Sequence, residues 1–195
     1  MIDATYSSQD QIHHICYIGL GSNLGDRLAY LRFAIEALSK IGQVRVSRLY
    51  ASPPMGPQDQ PDYLNAVVEL VTTLSPLALL DQLQAIEQDA GRVRKRHWGE
   101  RTLDLDLLLY DQDQIQHPRL NVPHVGLMER DFVLLPLLDL LPQAIIGEIR
   151  LSDVGCLQSA TAKAVSDLPV QDAIQSAWFQ DESFMLAKKL VLFEA

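Results

Sequence analysis

The chain has 195 residues, of which 48% are hydrophobic and 21% charged, and this composition predicts one folded domain rather than a disordered chain. Its formal net charge of -9 argues against general nucleic-acid binding. No apolar run is long enough to span a bilayer, and the N-terminus "MIDATYSSQDQIHH" lacks the basic and apolar regions of a secretory signal. Cys16 and Cys156 are isolated in sequence, so we expect two buried thiols and a cytosolic protein.

The first half of the chain predicts a strand, a helix and a second strand. "HICYIGLGSN" is typical of a buried strand that enters a Gly-Ser-Asn turn. "GDRLAYLRFAIEALSKIG" predicts an amphipathic helix that begins near Asp26 and stops at Gly42. "QVRVSRLYAS" predicts one strand with a solvated face, and "PPMGPQDQPD" predicts a loop.

The middle of the chain repeats this pattern. "YLNAVVELVTTL" predicts a strand, and "SPLALLDQLQAIEQDAG" predicts a helix with Ser75 as its N-cap, Pro76 in its first turn and Gly91 beyond its end. A basic segment, "GRVRKRHWGER", then leads into the strand "RTLDLDLLLY". A basic segment on an acidic protein requires its own explanation.

The remaining sequence predicts a loop through His117 and His124 and a helix that ends near Pro142, with a kink or break at Pro136. Beyond it, "DAIQSAWF" and "SFMLAKKLVLFEA" are interpreted as helices on the core or as adaptations to a partner surface. The element order predicts a ferredoxin-like βαββαβ α+β sandwich with a mostly antiparallel sheet. We divide the chain into an N-terminal lead, one main domain and a helical C-terminal extension without an assigned role, at residues 1–14, 15–155 and 156–195.

The strand "RTLDLDLLLY" places two carboxylates on one face. Asp104 and Asp106 share that face with Thr102 and Leu108, because alternate side chains of a strand point the same way. Two like charges in a half-buried setting are costly. The preceding arginines favour a magnesium–polyphosphate site, since carboxylates suit Mg²⁺ and guanidinium groups bind phosphate oxygens. The alternative is a solvent-facing strand whose aspartates pair with those arginines, and the spacing alone does not decide. The opposite face is predicted to carry Leu103, Leu105, Leu107 and Leu109.

Three motifs, considered together, resemble a known family. They are "GLGSNLGDR", "SPPMGPQDQPDYLNAVVEL", and "GRVRKRHWGERTLDLDLLLYD" followed by "RLNVPHVGLMERDFVLLPL". Their sequence and order are similar to those of 6-hydroxymethyl-7,8-dihydropterin pyrophosphokinases, which act in folate biosynthesis. The resemblance runs from about Ile15 to Pro142.

The resemblance implies an ATP-dependent enzyme that transfers the terminal diphosphate of ATP to the hydroxymethyl group of the reduced pterin and releases AMP. Asp104 and Asp106 match the family's pair of ligands for two Mg²⁺ ions. Arg92 and Arg101 match the family's two catalytic arginines, which stabilise charge on the transferred group. We expect small-molecule substrates only, no membrane or nucleic acid, and a monomer.

The resemblance also implies two sets of binding residues. Gln84 and Glu87 are expected on the exposed side of their helix. The residues that match nucleotide-binding positions are Gln84, Glu87, Arg92, Arg94, Lys95, His97, Trp98, Arg101, Leu107, Arg119, Asn121, His124 and Arg130. The residues that match the flat pterin slot are Gly21, Ser52, Pro53, Pro54, Met55, Tyr63, Asn65, Trp98, Asp104 and Phe132.

The sequence departs from the family pattern in the basic loop, which is one residue shorter before Trp98. Either Arg96 or His97 therefore occupies a position where a basic nucleotide contact is expected. Val125 replaces a position that is often aromatic, and Met55 replaces a common leucine. Two other functions stay open from the residues alone: a metal-dependent phosphohydrolase that uses water as nucleophile, and a non-catalytic nucleotide or pterin sensor.

Overall fold

A computed structural model describes residues 12–92 and 99–169 of the chain. These ranges contain three α-helices, ten strands and three short 3-10 turns. The helices are α1 (Arg27–Leu38), α2 (Pro76–Asp89) and α3 (Asp131–Leu140). The strands are β1 (His14–Ser22), β2 (Gln43–Val46), β3 (Arg48–Ser52), β4 (Tyr63–Thr72), β5 (Asp104–Tyr110), β6 (Ile115–His117), β7 (Leu120–Val122), β8 (Ile145–Ile146), β9 (Ile149–Arg150) and β10 (Lys163–Pro169).

Six of these strands form one sheet at the centre of the described structure. Its order is β10-β3-β4-β1-β5, and β2 also pairs with β4. Every pair in this sheet is antiparallel. The prediction of an α+β protein with a mostly antiparallel sheet is therefore confirmed.

Helices cover both faces of the sheet. On one face, the apolar side chains of α1 and α2 pack onto β1, β4 and β5, and Leu31, Leu38, Leu79 and Leu83 are fully buried there. On the other face, α3 packs onto a second cluster that includes Leu108 and Leu134. Burial of these apolar side chains is the main contribution to the stability of the domain.

The prediction of one continuous strand over "QVRVSRLYAS" is wrong. Two strands, β2 and β3, meet at Ser47, and both pair with β4. The register changes from Val46 opposite Val68 to Tyr50 opposite Asn65, so one extra residue is accommodated between them. The Ser47 hydroxyl provides the hydrogen-bond partner at this bulge, because it accepts from the Val67 N–H at 2.9 Å. Such a bulge bends the strand and redirects its end.

A second irregularity lies in β5. The pairing with β1 shifts between Tyr17 and Ile18, which face Leu109 and Leu107. As a result, Leu108 and Leu109 both pack in the α3 cluster, whereas Leu107 and Tyr110 both pack beneath α1 and α2. The predicted strict alternation thus holds through Leu107 and is wrong for Leu109.

The predicted helix boundaries are close to those observed, although the predicted capping interactions and the predicted effect of proline are only partly found. Asp26 caps α1 through a hydrogen bond from the Ala29 N–H at 3.0 Å. Ser75 precedes α2 and Pro76 begins it, but the Ser75 side chain makes no capping hydrogen bond. Helix α3 continues through Pro136, so the predicted break is absent.

The C-terminal extension was predicted to be helical. Its described part instead forms a 3-10 turn at Gly155–Ser159 and the edge strand β10. The two segments predicted as helices, "DAIQSAWF" and "SFMLAKKLVLFEA", lie outside the described residues. None of the helices within residues 12–92 and 99–169 has the length and apolar content needed to cross a bilayer.

Candidate active site

A cleft of about 110 Å³ opens on the face of the sheet that carries α3. The ends of β1 and β3, the strands β4 and β5, the loop after β3 and the start of α3 all contribute to its wall. Charged groups from Arg101, Asp104, Asp106 and Arg130 lie at one part of this wall. Aromatic and amide side chains from Tyr63, Asn65 and Phe132 form another part. The cleft therefore combines an ionic region with a flat, partly apolar region.

Two glycines create the space in front of the aspartates. In the β1–β5 register, Gly19 pairs with Asp106 and Gly21 pairs with Asp104. Directly paired residues project on the same face, so a side chain at either glycine would occupy the aspartate face, and a Cβ at Gly19 would lie 3.5 Å from the Leu108 side chain. A Cβ at Gly21 would lie 3.5 Å from Asn65 Oδ1 and 3.9 Å from Asp104 Cβ. Gly21 was predicted as part of the pterin wall, whereas Gly19 was missed, although glycine in a strand interior is itself a signal of close approach.

Asp104 is compensated by two arginines. Arg92 Nη2 lies 2.7 Å from Asp104 Oδ1, and Arg101 Nη1 forms an ion pair with Asp104 Oδ2. Burial alone would lower the pKa of the Arg101 guanidinium, but Asp104, Tyr63 and Asp106 together more than offset this effect and the pKa is raised. The two guanidinium groups thus share Asp104 at the start of β5.

Asp106 is compensated far less. Among the described residues, the basic side chains closest to it are Arg130, with Nη1 at 3.6 Å from Oδ2, and His124, with Nε2 at 3.8 Å. Burial and the neighbouring Asp104 carboxylate raise the pKa of Asp106, and His124 and Arg130 oppose this shift only in part. The protein therefore keeps a carboxylate in a position where its charge is unfavourable without a further cation.

Glu87 is buried, and the expectation that it lies on the exposed side of α2 is wrong. Only 6% of the residue is exposed, because it follows Leu83 by one turn on the buried stripe of the helix. Its carboxylate accepts a hydrogen bond from the Leu105 N–H at 2.8 Å and pairs with Arg92. Burial raises the pKa of Glu87 despite these partners. Glu87 thus links Arg92 to Leu105, near the start of β5.

The flat part of the cleft contains most of the residues predicted to bind the pterin. The Asn65 side-chain amide donates to Ser52 Oγ at 3.0 Å, which fixes the amide in the plane of the wall. The Tyr63 hydroxyl donates to the Gly99 carbonyl at 3.4 Å, and Met55 is 57% exposed at the rim. Gly21, Ser52, Pro53, Met55, Tyr63, Asn65, Asp104 and Phe132 line the cleft, while Pro54 is buried beside it.

Asn23 joins three loops beneath the cleft and was not predicted. Its side chain donates to Gln60 Oε1 and to the Pro61 carbonyl, each at 3.0 Å, and accepts from the Arg101 N–H at 2.9 Å. The Asn23 and Leu24 N–H groups both donate to the Arg101 carbonyl at 3.2 Å. A turn asparagine gives no sequence signal for such burial, since turn asparagines are usually solvated.

The remaining predicted nucleotide residues are distributed around this centre. Gln84 is exposed on α2, and Arg119 on the β6–β7 hairpin pairs with Asp81 of α2. Asn121 is exposed on the same hairpin. The Leu107 side chain is buried in the main core, so only its backbone is available to a ligand. Arg94, Lys95, Arg96, His97 and Trp98 lie outside the described residues.

The carboxylate pair is the feature of the cleft that could contribute to a metal site. No group of three or more His, Cys, Asp or Glu side chains is positioned to hold a metal ion by itself. Asp104 and Asp106 nevertheless supply hard oxygen ligands on one face, and Mg²⁺ commonly takes one or two carboxylates together with substrate phosphates. The donor set therefore fits an ion that arrives with a phosphorylated substrate.

Comparison with known proteins assigns the class of this one. Residues 17–142, about two thirds of the chain, match the model of a family described as 7,8-dihydro-6-hydroxymethylpterin-pyrophosphokinase (HPPK). The protein is thus a diphosphotransferase. It belongs to the 7,8-dihydro-6-hydroxymethylpterin-pyrophosphokinase family, whose members act in folate biosynthesis, and the resemblance drawn from its motifs is confirmed.

Two relatives illustrate the similarity. The 2-amino-4-hydroxy-6-hydroxymethyldihydropteridine pyrophosphokinase of Haemophilus influenzae is 53% identical over 127 residues, which cover 64% of this chain and 79% of the relative. The protein of the same description from Pseudomonas aeruginosa is 48% identical over 140 residues, which cover 70% of this chain and 83% of the relative.

The fold also matches solved structures. Wild-type HPPK-DHPS of Plasmodium falciparum, crystallised with pterin and p-hydroxybenzoate, aligns with a TM-score of 0.62 at 14% identity. The alignment covers 80% of this chain and 47% of that chain, so this chain spans about half the length of the solved protein. At this identity the similarity supports the fold alone.

Proposed function

We propose that this protein transfers a diphosphate group from ATP to the hydroxymethyl group of 6-hydroxymethyl-7,8-dihydropterin, with Mg²⁺, and releases AMP. The hydroxymethyl oxygen forms a bond to the β-phosphorus, the bond from that phosphorus to the α–β bridging oxygen breaks, and the hydroxyl proton is lost. One observation carries the proposal: the aspartate pair, with Arg92 and Arg101 bonded to Asp104, lies in the same cleft that Tyr63, Asn65 and Phe132 line.

The flat wall suits a pterin. Asn65 offers both an acceptor and donors, which an in-plane pterin edge requires. Tyr63 and Phe132 offer aromatic surface to the ring faces. The adjacent Gly21 leaves room for the hydroxymethyl group to approach Asp104. The wall and the ionic region are contiguous, so both substrates can be held in contact, which favours a bimolecular transfer.

The ionic region suits polyphosphate. Arg92 and Arg101 present guanidinium groups that can exchange Asp104 for phosphate oxygens, and each then stabilises charge that builds on the transferred group. His124 and Arg130 both lie within 4 Å of Asp106 Oδ2. When bound at Asp104 and Asp106, two Mg²⁺ ions would neutralise phosphate charge and lower the pKa of the attacking hydroxyl. In this proposal the chain's own contribution is positioning and electrostatic stabilisation.

The proposal is tested by incubating the protein with ATP, Mg²⁺ and 6-hydroxymethyl-7,8-dihydropterin and separating the nucleotides. We expect AMP to appear only when the pterin is present, and to disappear when EDTA removes the metal. ADP and phosphate formed without pterin would instead support a phosphohydrolase. Ligand binding by folded protein without any product would support a sensor, and either result would reject the transfer reaction.

Replacement of Gly21 by valine should weaken pterin binding. The Cβ makes only ordinary contacts at 3.5–3.9 Å, so the fold is retained, but the γ-methyl groups enter the cleft between Asn65 and Asp104. We expect the pterin Kd to rise by about fivefold or more, since overpacking typically costs at least about 1 kcal/mol. Titration calorimetry measures the Kd, and Gly155→Val, at a glycine with open space around it, is the control. Equal pterin affinity in both variants would contradict the placement of the slot.

We also infer a ferredoxin-like topology. The order β3-β4-β1-β5, with antiparallel neighbours and with α1 and α2 on one face, supports it. The domain limits at residues 15 and 155 and the monomeric state stay predictions. A cytoplasmic location is likewise proposed, supported by the free thiols of Cys16, which is buried, and Cys156, which is only half-buried.

A further inference from the structure

Asp131 forms a buried connection that the proposed reaction does not use. It is the first residue of α3 and is 9% exposed. Its Oδ2 accepts hydrogen bonds from the N–H of Thr161, from the Thr161 hydroxyl at 3.2 Å and from the N–H of Ala162 at 3.0 Å. Its Oδ1 accepts from the Phe132 N–H at 2.7 Å. A buried carboxylate with four donors is a strong local constraint, because hydrogen bonds to charged groups are about twice as strong as neutral ones.

The residues next to Asp131 belong to the cleft. Arg130 and Phe132 both line it, and Arg130 Nη1 lies 3.6 Å from Asp106 Oδ2. The backbone position of Asp131 therefore determines the positions of the Cα atoms that carry the Phe132 and Arg130 side chains. Any group that fixes the Asp131 carboxylate therefore also fixes the part of the cleft formed by the start of α3.

The partner of Asp131 leads directly to the strand that carries Ser52, another residue that lines the cleft. Ala162 is buried, and the chain then enters β10, whose Lys163 and Ala164 pair with Ala51 and Tyr50 of β3. Strand β3 ends at Ser52, whose hydroxyl accepts from Asn65 Nδ2 at 3.0 Å. Residues 161–169, here called the C-terminal strap, thus run from the Phe132 side of the cleft to the Ser52 side.

The C-terminal strap lies beyond residue 142, at which the match to the family model ends. Its contacts with Asp131 and β3 are therefore additions to the part of the chain that carries the family motifs. The strap has its own hydrophobic anchor as well, since Val165 packs against the main core. The C-terminal strap is therefore packed and hydrogen-bonded against the rest of the domain.

We propose that Asp131 is a positioning residue, which through the C-terminal strap holds the Phe132 and Ser52 walls of the pterin slot at a fixed separation. This inference rests on the proposed function, since it assigns the slot to a pterin. Asp131 touches neither substrate; it restricts the slot before the substrate arrives, and such preorganisation lowers the entropic cost of binding. Its loss is expected to weaken pterin binding more than nucleotide binding, because Asp131 bonds directly to the Phe132 N–H, whereas the side chain of its other neighbour, Arg130, has Asp106 as a separate partner.

The test compares Asp131→Ala with Asp131→Asn in the full chain, and titration calorimetry gives the Kd of each substrate separately. For Asp131→Ala we expect the pterin Kd to rise about tenfold, which corresponds to about 1.4 kcal/mol, while the ATP Kd changes less than threefold. Asparagine retains one oxygen that can accept from Thr161 and Ala162, so Asp131→Asn should recover most of the pterin affinity. Thr161→Val, which removes only the hydroxyl contact, should have a smaller effect in the same direction.

The matched control is Asp139→Ala. Asp139 lies on the same helix and also bonds to β3, through Arg48 Nη2 at 2.6 Å and the Tyr50 hydroxyl at 3.0 Å, but it is at the far end of α3. Its loss should lower the Tm and leave the pterin Kd within twofold of wild type. Equal effects of Asp131→Ala and Asp139→Ala on pterin binding would overturn the inference, as would an Asp131→Ala change confined to Tm. Absence of pterin binding by wild-type protein would instead reject the proposed function.

Discussion

Replacement of Asp106 by asparagine should lower kcat by roughly three orders of magnitude, since electrostatic groups at the reacting centre of phosphoryl transfer contribute on that scale. Within the described residues, Asp106 lies farther from its basic neighbours than Asp104 does, with Arg130 Nη1 at 3.6 Å and His124 Nε2 at 3.8 Å from Oδ2. Asparagine has the same shape but lacks the charge that the proposed metal ions require. The rate of AMP formation at saturating ATP, Mg²⁺ and pterin measures the effect.

The same substitution should not destabilise the protein. Burial and Asp104 raise the pKa of Asp106, so its charged form is unfavourable in the ligand-free fold and its removal relieves that cost. We therefore expect an equal or higher Tm for Asp106→Asn by calorimetry. Asp113→Asn, an exposed position in the turn after β5, is the control and should leave both kcat and Tm unchanged. A near-normal kcat in Asp106→Asn would remove this residue from the reaction.

Replacement of Arg101 by alanine should lower kcat about a thousandfold while changing the Kd values of both substrates much less, because arginines that stabilise transferred phosphoryl groups contribute 10³-fold or more. The position of the loop should survive this change. The Arg101 backbone holds the loop: its N–H donates to Asn23 Oδ1, and its carbonyl accepts from the Asn23 and Leu24 N–H groups. These hydrogen bonds do not involve the Arg101 side chain. Asp104 also keeps Arg92 as a partner.

Two further variants distinguish charge from geometry at this position. Arg101→Lys keeps the positive charge but loses the planar pair of donors, so we expect only partial recovery of kcat. Arg32→Ala removes an exposed arginine that pairs with Glu36 on α1 and should have no kinetic effect. An Arg101→Ala phenotype limited to KM would assign the guanidinium to ground-state binding instead of to the chemical step.

The parts of the fold that follow simple periodicity were predictable from the sequence. Strands β1, β4 and β5 and helices α1 and α2 follow from alternation, helical spacing and turn residues. The carboxylate pair was equally predictable, because two residues of spacing in a strand place both side chains on one face. The residue spacing did not decide whether the arginines pair with the aspartates or bind a ligand. In the structure, Arg92 and Arg101 pair with Asp104.

The parts that were missed depend on contacts between distant residues. The bulges at Ser47 and at Leu108 arise from strand pairing, which no local pattern specifies. Glu87 was expected on the exposed side of α2 together with Gln84, although its spacing from Leu83 already placed it on the buried side. Asn23 was missed because its partners, Gln60 and Arg101, are 37 and 78 residues away.

The sharing of Asp104 by two arginines has a thermodynamic consequence for ligand binding. Each guanidinium that leaves Asp104 for a phosphate oxygen exposes a carboxylate that then favours a cation, and a cation at Asp104 in turn releases Arg92 and Arg101. By linkage, the factor by which nucleotide raises the affinity for the cation equals the factor by which the cation raises the affinity for nucleotide. In the proposed function, metal and nucleotide are therefore expected to bind more tightly together than separately.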